Sequence, residues 1–392
     1  MRLADRMEHV KDKEMLKVME LSETEGVISF AGGFPSPEAY PVEDIRESFL
    51  WVLDRDPRGA LSYSATGGYG PLRDLLAKRM KRNFALDFTR EQVIITNGSQ
   101  QALDMTGLML INPGDVILFE APSYLGALNA FKAYEAEMVA VPTDDDGIQI
   151  GPLKAALEKY GERVKLIYVI PDYQNPTGRC WSVERRRAFM ETVAAWDLAV
   201  LEDAAYSELA FSHQLEPPLL SFDRKGQVIY CGTFSKIFCP GLRIAWVCAA
   251  GELIEQYLLL KNNVDLSSSA IIHRQMVHYL EHYDLDGHIR RISALYQQRC
   301  RLMVECAGEF FPEEVRFNEP KGGLFVWAAL PEGGDSRQLL ERAVREKVAF
   351  VPGASFYPDG APGNEFRLNF TNVPEEQIRE GMARLGRVMK EG

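Results

Sequence analysis

Nowhere do the 392 residues contain a Cys-x-x-Cys pair, and the six cysteines, at 180, 231, 239, 248, 300 and 306, are scattered. Such spacing excludes a zinc ribbon and outlines no disulfide framework, so they are expected to be reduced, mostly buried thiols. No uninterrupted apolar run is long enough to span a bilayer, which excludes a membrane helix. The N-terminus, MRLADRMEHVKDKEM, is charged throughout and lacks the apolar centre of a secretory signal, so a cytoplasmic protein is expected. Basic charge is in deficit: 44 Lys and Arg stand against 56 Asp and Glu, a formal net charge of -12 that disfavours a nucleic-acid partner. There is no G-x-x-x-x-G-K-[ST], and TGGYGPLR does not complete G-x-G-x-x-G, so neither common nucleotide cradle is present. His278 and His282 have helical i, i+4 spacing but no H-E-x-x-H around them; they read as partly exposed helix histidines, and no metal is expected.

What the chain does contain is a series of short apolar runs bounded by turn residues. VIIT (93–96), VILF (116–119), MVAV (138–141), LIYVI (166–170), LAVLE (198–202), VIYC (228–231) and IAWVC (244–248) read as buried strands. Helix-like segments lie between several of them, among them SQQALDMTGLML, YLGALNAFKAYEA and SVERRRAFMETVAAWD. This alternation predicts an α/β fold, with a mostly parallel seven-stranded sheet between helices. After about residue 280 a long charged helix-like stretch leads to VRF, GLFVWAAL, VAFVPG and FRLNF, the pattern of a smaller α+β domain. The expected division is an N-terminal segment packing with the small domain (1–45), a large domain (46–280) and a small C-terminal domain (281–392).

Four stretches carry chemistry. In VIITNGSQQALD a strand runs into Gly98, which allows close backbone approach, and Ser99, which can cap a helix whose free N–H groups would suit a phosphate. Taken alone this is also an ordinary strand-to-helix turn. In LAVLEDAAYSEL, Asp203 follows a buried strand, where open α/β sheets place ligands, and a carboxylate there needs a cationic partner; a helix cap is the plainer alternative. In IPDYQNPTG, Asn175 is held extended before a proline with its side chain free to donate, or else the stretch is simply a tight turn. In TFSKIFCPGLRIAWV, Lys236 sits among Phe234, Ile237 and Phe238, beside Thr233 and Ser235, with Arg243 seven residues on. An imine-forming lysine needs such an apolar setting to lower its pKa, and hydroxyls with an arginine make an anion site. A surface salt bridge would explain one lysine, but not the recurrence of such groups at one sheet edge.

NPTG, then D-x-x-Y, then S-K-x-x-x-P-G-x-R, in this order, resembles the fold-type I aminotransferases that use pyridoxal 5'-phosphate. The likeness extends through ISFAGGFPSPEAYP, YSATGGYGPLR and FRLNF, and is nearest to the branch of 2-aminoadipate, kynurenine, aromatic and branched-chain aminotransferases.

The resemblance implies a role for each matching residue. Lys236 would hold the cofactor as an imine and then act as the proton-moving base. Asp203 would pair with the ring nitrogen, while Asn175 and Tyr206 would hydrogen-bond the phenolic oxygen. Gly98, Ser99, Gln100, Ser235 and Arg243 would hold the phosphate, joined by Tyr63 from a second subunit, which implies a homodimer with active sites shared across the interface. Tyr124 would stack on the cofactor. Arg367 would clamp the substrate α-carboxylate, with Asn175 and Gly33 also at the substrate. Members acting on 2-aminoadipate commonly carry an arginine in an N-terminal helix; here DKEMLKVMEL has Leu16 at that position, with Lys13 and Lys17 near it. The expected activity is transfer of an amino group from an L-amino acid to a 2-oxo acid, 2-oxoglutarate foremost, by a ping-pong route. A lyase, racemase or oxidase on the same fold needs the same lysine and aspartate and stays open. Regulators that fuse a related domain to a DNA-binding module are disfavoured, because ISFAGGFPSPEAYP begins by residue 28 and leaves no room for a winged helix.

Overall fold

The computed structural model of the chain describes residues 1–8, 20, 24–360 and 363–391. Leu16, Lys13 and Lys17 lie outside the described residues. Among the described residues no helix is long and apolar enough to cross a membrane.

All seven anticipated strands form, and they belong to one sheet in the order Val93–Asn97, Ile244–Cys248, Val228–Thr233, Ala199–Asp203, Val164–Val169, Val116–Ala121, Glu137–Asp144 and Gly147–Ile148. The sheet therefore has eight strands rather than seven. The extra one is a two-residue edge strand formed by a tight reversal after Asp144, too short to leave an apolar run in the sequence. Ile244–Cys248 runs antiparallel to both its neighbours, because only the short stretch between Thr233 and Ile244 connects it to the preceding strand. The other central pairings are parallel.

Burial on both faces explains why these strands read as continuous apolar runs. Along Val116–Ala121 and Val164–Val169 alternate side chains enter opposite cores. Ile117, Phe119, Leu166 and Tyr168 join one, and Val116, Leu118, Ile167 and Val169 the other. Helices Ser99–Leu110 and Leu125–Lys132 cover the first face through residues such as Leu103 and Phe131; Ile150–Tyr160 and Val183–Val193 cover the second through Leu153 and Phe189.

A second, antiparallel sheet orders Arg316–Phe317, Phe325–Ala329, Glu365–Asn369 and Val351–Pro352. Helices Leu285–Phe310 and Glu375–Lys390 pack beside it. The first of them is capped by Asp284, whose side chain accepts from the Gly287 amide at 2.8 Å, and it buries Ile289, Ile292, Tyr296, Cys300 and Met303 at helical spacing. The chain segment Ile28–Ser29 pairs in parallel with Val348–Ala349.

All six cysteines are free thiols, five buried and Cys180 half-buried. His278 differs from expectation: it is buried, its Nδ1 is 3.1 Å from the Ser48 hydroxyl, and its ring lies 4.2 Å from that of exposed His282 and 4.5 Å from Trp51. Packing of Val42–Arg55 against Ala270–His282 covers that side of the helix.

Candidate active site

The four motifs converge because they occupy one edge of the large sheet. Gly98, Tyr124, Asn175 and Lys236 follow, and Asp203 ends, strands running in the same direction, while Arg243 precedes the antiparallel strand and so returns to the same edge. The Asn175 loop is pinned from beneath. Fully buried Arg186 donates to Asp172 Oδ1 at 2.6 Å and to the Pro171 carbonyl at 3.2 Å, and Gln174 Nε2 donates to the Pro122 carbonyl at 3.0 Å.

A carboxylate, an amine and a guanidinium lie close enough here for Lys236 to feel the charge of both others. Burial pushes the Asp203 carboxyl up to about 6, against the pull of the Tyr168 hydroxyl, the Ala205 amide and the charge of Lys236. Tyr168 donates to Asp203 Oδ2 at 2.8 Å; Oδ1 is buried with no hydrogen-bond partner among the described residues. Lys236 Nζ donates to the Gly33 carbonyl at 2.7 Å. Burial, and then the positive charge of Arg367, bring its ammonium down to about 8, while Asp203 acts in the opposite sense. Arg367 donates from Nη1 to Asn175 Oδ1 at 2.7 Å and from Nη2 to the Ala31 carbonyl. Its guanidinium carbon lies 4.3 Å from the Phe325 ring centre and 5.0 Å from that of Phe356. Burial lowers it to about 10, so it stays cationic at neutral pH. Asn175 Nδ2 reaches the Tyr206 hydroxyl at 3.2 Å, and the Tyr206 ring meets Phe325 edge-on at 5.8 Å. The Tyr124 phenol is pushed up by burial first, and then by the charge of Asp203.

A second cluster, suited to an anion, borders this one. Gly98 has φ +80°, and a Cβ there would run into the Arg243 guanidinium. The Arg243 backbone is itself left-handed, at φ 54° and ψ 48°. Thr233 Oγ1 donates to Ser235 Oγ at 3.0 Å, and the Ser235 amide donates to Thr233 Oγ1 at 3.1 Å. Two expectations change here. The helix cap is Gly98, not Ser99, because the chain turns with a positive φ that a side chain resists; Ser99 becomes the first helical residue. Gln100 turns its side chain away to donate to the Gly126 carbonyl at 3.1 Å, leaving its backbone amide to the cup.

Tyr63 is not brought into the pocket by its own chain: it is 87% exposed. Conversely, Tyr168, the carbonyls of Ala31 and Gly33, and the rings of Phe325 and Phe356 border the site without having been marked as acceptors or partners. The alternation in GLFVWAAL could have placed Phe325 on an inner face; nothing in LIYVI separates Tyr168 from its apolar neighbours.

Comparison with known proteins gives concordant matches. The family model described as aminotransferase class I and II covers residues 25–385. The aromatic-amino-acid aminotransferase 1 of Thermococcus litoralis is 43% identical over 385 residues, 97% of this chain and 92% of that protein. The crystal structure of a kynurenine aminotransferase from Pyrococcus horikoshii in complex with PMP superposes with a TM-score of 0.95 at 37% identity, covering 99% of this chain and 97% of that one. That of an alpha-aminoadipate aminotransferase from Thermus thermophilus, complexed with N-(5'-phosphopyridoxyl)-L-leucine, gives 0.92 at 35% identity, with 99% and 97% coverage.

Proposed function

The chain belongs to the class I and II aminotransferases, and from that membership we propose that it uses pyridoxal 5'-phosphate bound at Lys236 to move an amino group from an L-amino acid of the 2-aminoadipate, aromatic or branched-chain type to 2-oxoglutarate. The observation that carries the proposal is the buried, unpartnered Oδ1 of Asp203 in the same pocket as a lysine whose ammonium is lowered to about 8. A buried carboxylate oxygen without a donor costs free energy unless a cationic group meets it, and the protonated ring nitrogen of this cofactor is such a group. The cup at Gly98 fits its phosphate in the same way, with helix N–H groups and Arg243 converging where a side chain would intrude.

When bound, the cofactor supplies an electron sink for the pair of electrons released at the substrate α-carbon. The protein does the rest. Lys236 would hold the cofactor through Nζ, and the same amine, neutral once released, would be the base that holds and moves the substrate α-proton. Arg367 orients the α-carboxylate as a planar two-point donor, and Gly33, having no side chain, leaves that approach open. Asn175 and Tyr206 would donate to the phenolic oxygen, Asp203 would keep the ring nitrogen protonated, and Tyr124 would cover the ring face. Gly98, Ser99, Gln100, Ser235 and Arg243 would hold the phosphate.

Tyr63 completes the cup from a second copy in a homodimer. In support, Leu61 and Tyr63, two residues apart, are 74% and 87% exposed, apolar side chains that a partner would cover. The division into 1–45, 46–280 and 281–392 would let the smaller part close on substrate, and the cytoplasm is the proposed location.

A stepwise spectral titration tests the function. The holoenzyme is mixed with single L-amino acids without any oxo acid: glutamate and 2-aminoadipate against leucine and phenylalanine. Conversion of the visible band to that of the pyridoxamine form, reversed by 2-oxoglutarate, is the expected result. Release of ammonia or pyruvate without that reversal would overturn transamination. The Gly98→Ala variant should bind the cofactor roughly ten- to a hundredfold more weakly, since its Cβ would displace the Arg243 guanidinium and a hydrogen bond to a charged group contributes ~1.5–3 kcal/mol. Unchanged affinity in a fluorescence titration of the apo protein would remove Gly98 from the cup.

A further inference from the structure

Tyr168 lies in the middle of the large sheet with no exposed surface, on the strand between Val116–Ala121 and Ala199–Asp203. Its register partner on one side is Leu201, two residues before Asp203, so Tyr168, Leu201 and Asp203 share a face and the phenol reaches its diagonal neighbour. The ring is fixed by Phe119 and Phe131, at centroid distances of 5.9 and 6.4 Å. Its hydroxyl donates to Asp203 Oδ2 at 2.8 Å, and the other oxygen is left unpartnered.

We propose that Tyr168 is a positioning residue for the cofactor ring: by occupying Oδ2 it sets the plane of the Asp203 carboxylate, turns Oδ1 to the ring nitrogen and keeps the carboxylate ionised. The proposal rests on the assignment of Asp203 to the ring nitrogen. Two physical facts support it. The phenol is held well above its ordinary range, by burial first and then by the charge of Asp203, so it stays a donor at every working pH. Burial also drives Asp203 toward its neutral form, which could not attract a cationic ring, and the Tyr168 hydrogen bond opposes that drift. The charged and titratable groups facing Asp203 are Lys236, Tyr168, Tyr124, Tyr206 and Cys231. Of these only Tyr168 has a side chain within hydrogen-bond distance of the carboxylate.

The test is binding rather than turnover. Equilibrium dialysis of apo protein with pyridoxamine 5'-phosphate, which needs no imine to Lys236, is run between pH 5.5 and 8.5 on the wild type, Y168F, D203A and the double variant. The D203A profile supplies the part due to other titrating groups, the ligand phosphate included. Y168F is expected to weaken binding at pH 7.5 roughly tenfold, and to move the acid-side loss of affinity up by about one pH unit, as loss of a hydrogen bond to a charged group predicts. In the D203A background the same substitution should have no effect. Wild-type affinity and profile in Y168F, with weak binding by D203A, would reduce Tyr168 to core packing. An undiminished Y168F effect on top of D203A would mean that it acts elsewhere, and wild-type binding by D203A would overturn the Asp203 assignment itself. If Y168F does not fold, 3-fluorotyrosine at position 168 keeps the hydroxyl and strengthens the donor. It should then move the acid-side loss down in pH, and an unmoved profile overturns the proposal.

Discussion

Lys236→Ala is expected to lower turnover by roughly ten-thousandfold or more, and to leave a folded protein without the visible band of the lysine-bound cofactor. The substitution removes both the amine that captures the cofactor carbonyl and the base that moves the α-proton, and general acid–base action by itself contributes about 10²–10⁴. Folding should survive, because among the described residues Nζ makes one hydrogen bond, to the Gly33 carbonyl, and a part-buried amine gives up little when replaced by an apolar group. The wild type supplies a pH control. Only the neutral amine attacks a carbonyl, so the rate at which apo protein captures pyridoxal 5'-phosphate should rise through about pH 8, where burial has brought the ammonium, and level off above it. Reduction with borohydride should fix the cofactor to the wild-type chain and not to the variant. Turnover within tenfold of wild type in Lys236→Ala would move the chemistry to another group.

How much of this could be read without coordinates depended on which physical signal each residue leaves. The seven long strands were legible because burial on both faces demands unbroken apolar runs between turn residues. Gly147–Ile148 was not, since two residues make no run. Nor does an apolar run carry direction: IAWVC reads like VIYC, yet it runs antiparallel, a consequence of the short Pro-Gly connection rather than of the strand itself. In the site, Lys236 declared itself by its apolar neighbours, and Asp203 by its place at a strand end. Arg367 did not. Within FRLNF it alternates with Phe366 and Leu368, as a solvent-facing arginine would, and only the family resemblance marked it. The structure buries it because its strand lies between Phe325–Ala329 and Val351–Pro352, facing Phe356 and the Ala31 carbonyl. Tyr168 left no signal, because a phenol that makes a single buried hydrogen bond looks like any aromatic core residue. Ser99 misled for a local reason: serine is a common cap, but here the backbone conformation at the cap admits only glycine comfortably.

Arg367 also supports the second large expected effect. Replacing it with lysine or methionine should lower kcat/KM for L-amino acids by roughly a hundred- to a thousandfold, the range for removing one partner of a buried, hydrogen-bonded charge pair. Lysine keeps the charge but should recover little. One ammonium cannot meet Asn175 Oδ1 and the Ala31 carbonyl while presenting a flat face between Phe325 and Phe356, and a carboxylate held at one point is free to rotate. Methionine keeps most of the volume, so that comparison separates loss of the cation from loss of packing. The discriminating substrate is an amine with no carboxylate, such as 2-phenylethylamine beside phenylalanine. With wild-type enzyme the amino acid should convert the cofactor band far faster than the amine; in both variants the amino-acid rate should drop while the amine rate stays within a few-fold, so that the two converge. An equal fall for both substrates would show that Arg367 supports the pocket through Asn175 and Phe325 rather than by gripping the α-carboxylate. Because burial lowers its pKa only to about 10, the wild-type clamp stays charged through the neutral range, and a change of rate with pH below 9 is not expected to come from Arg367.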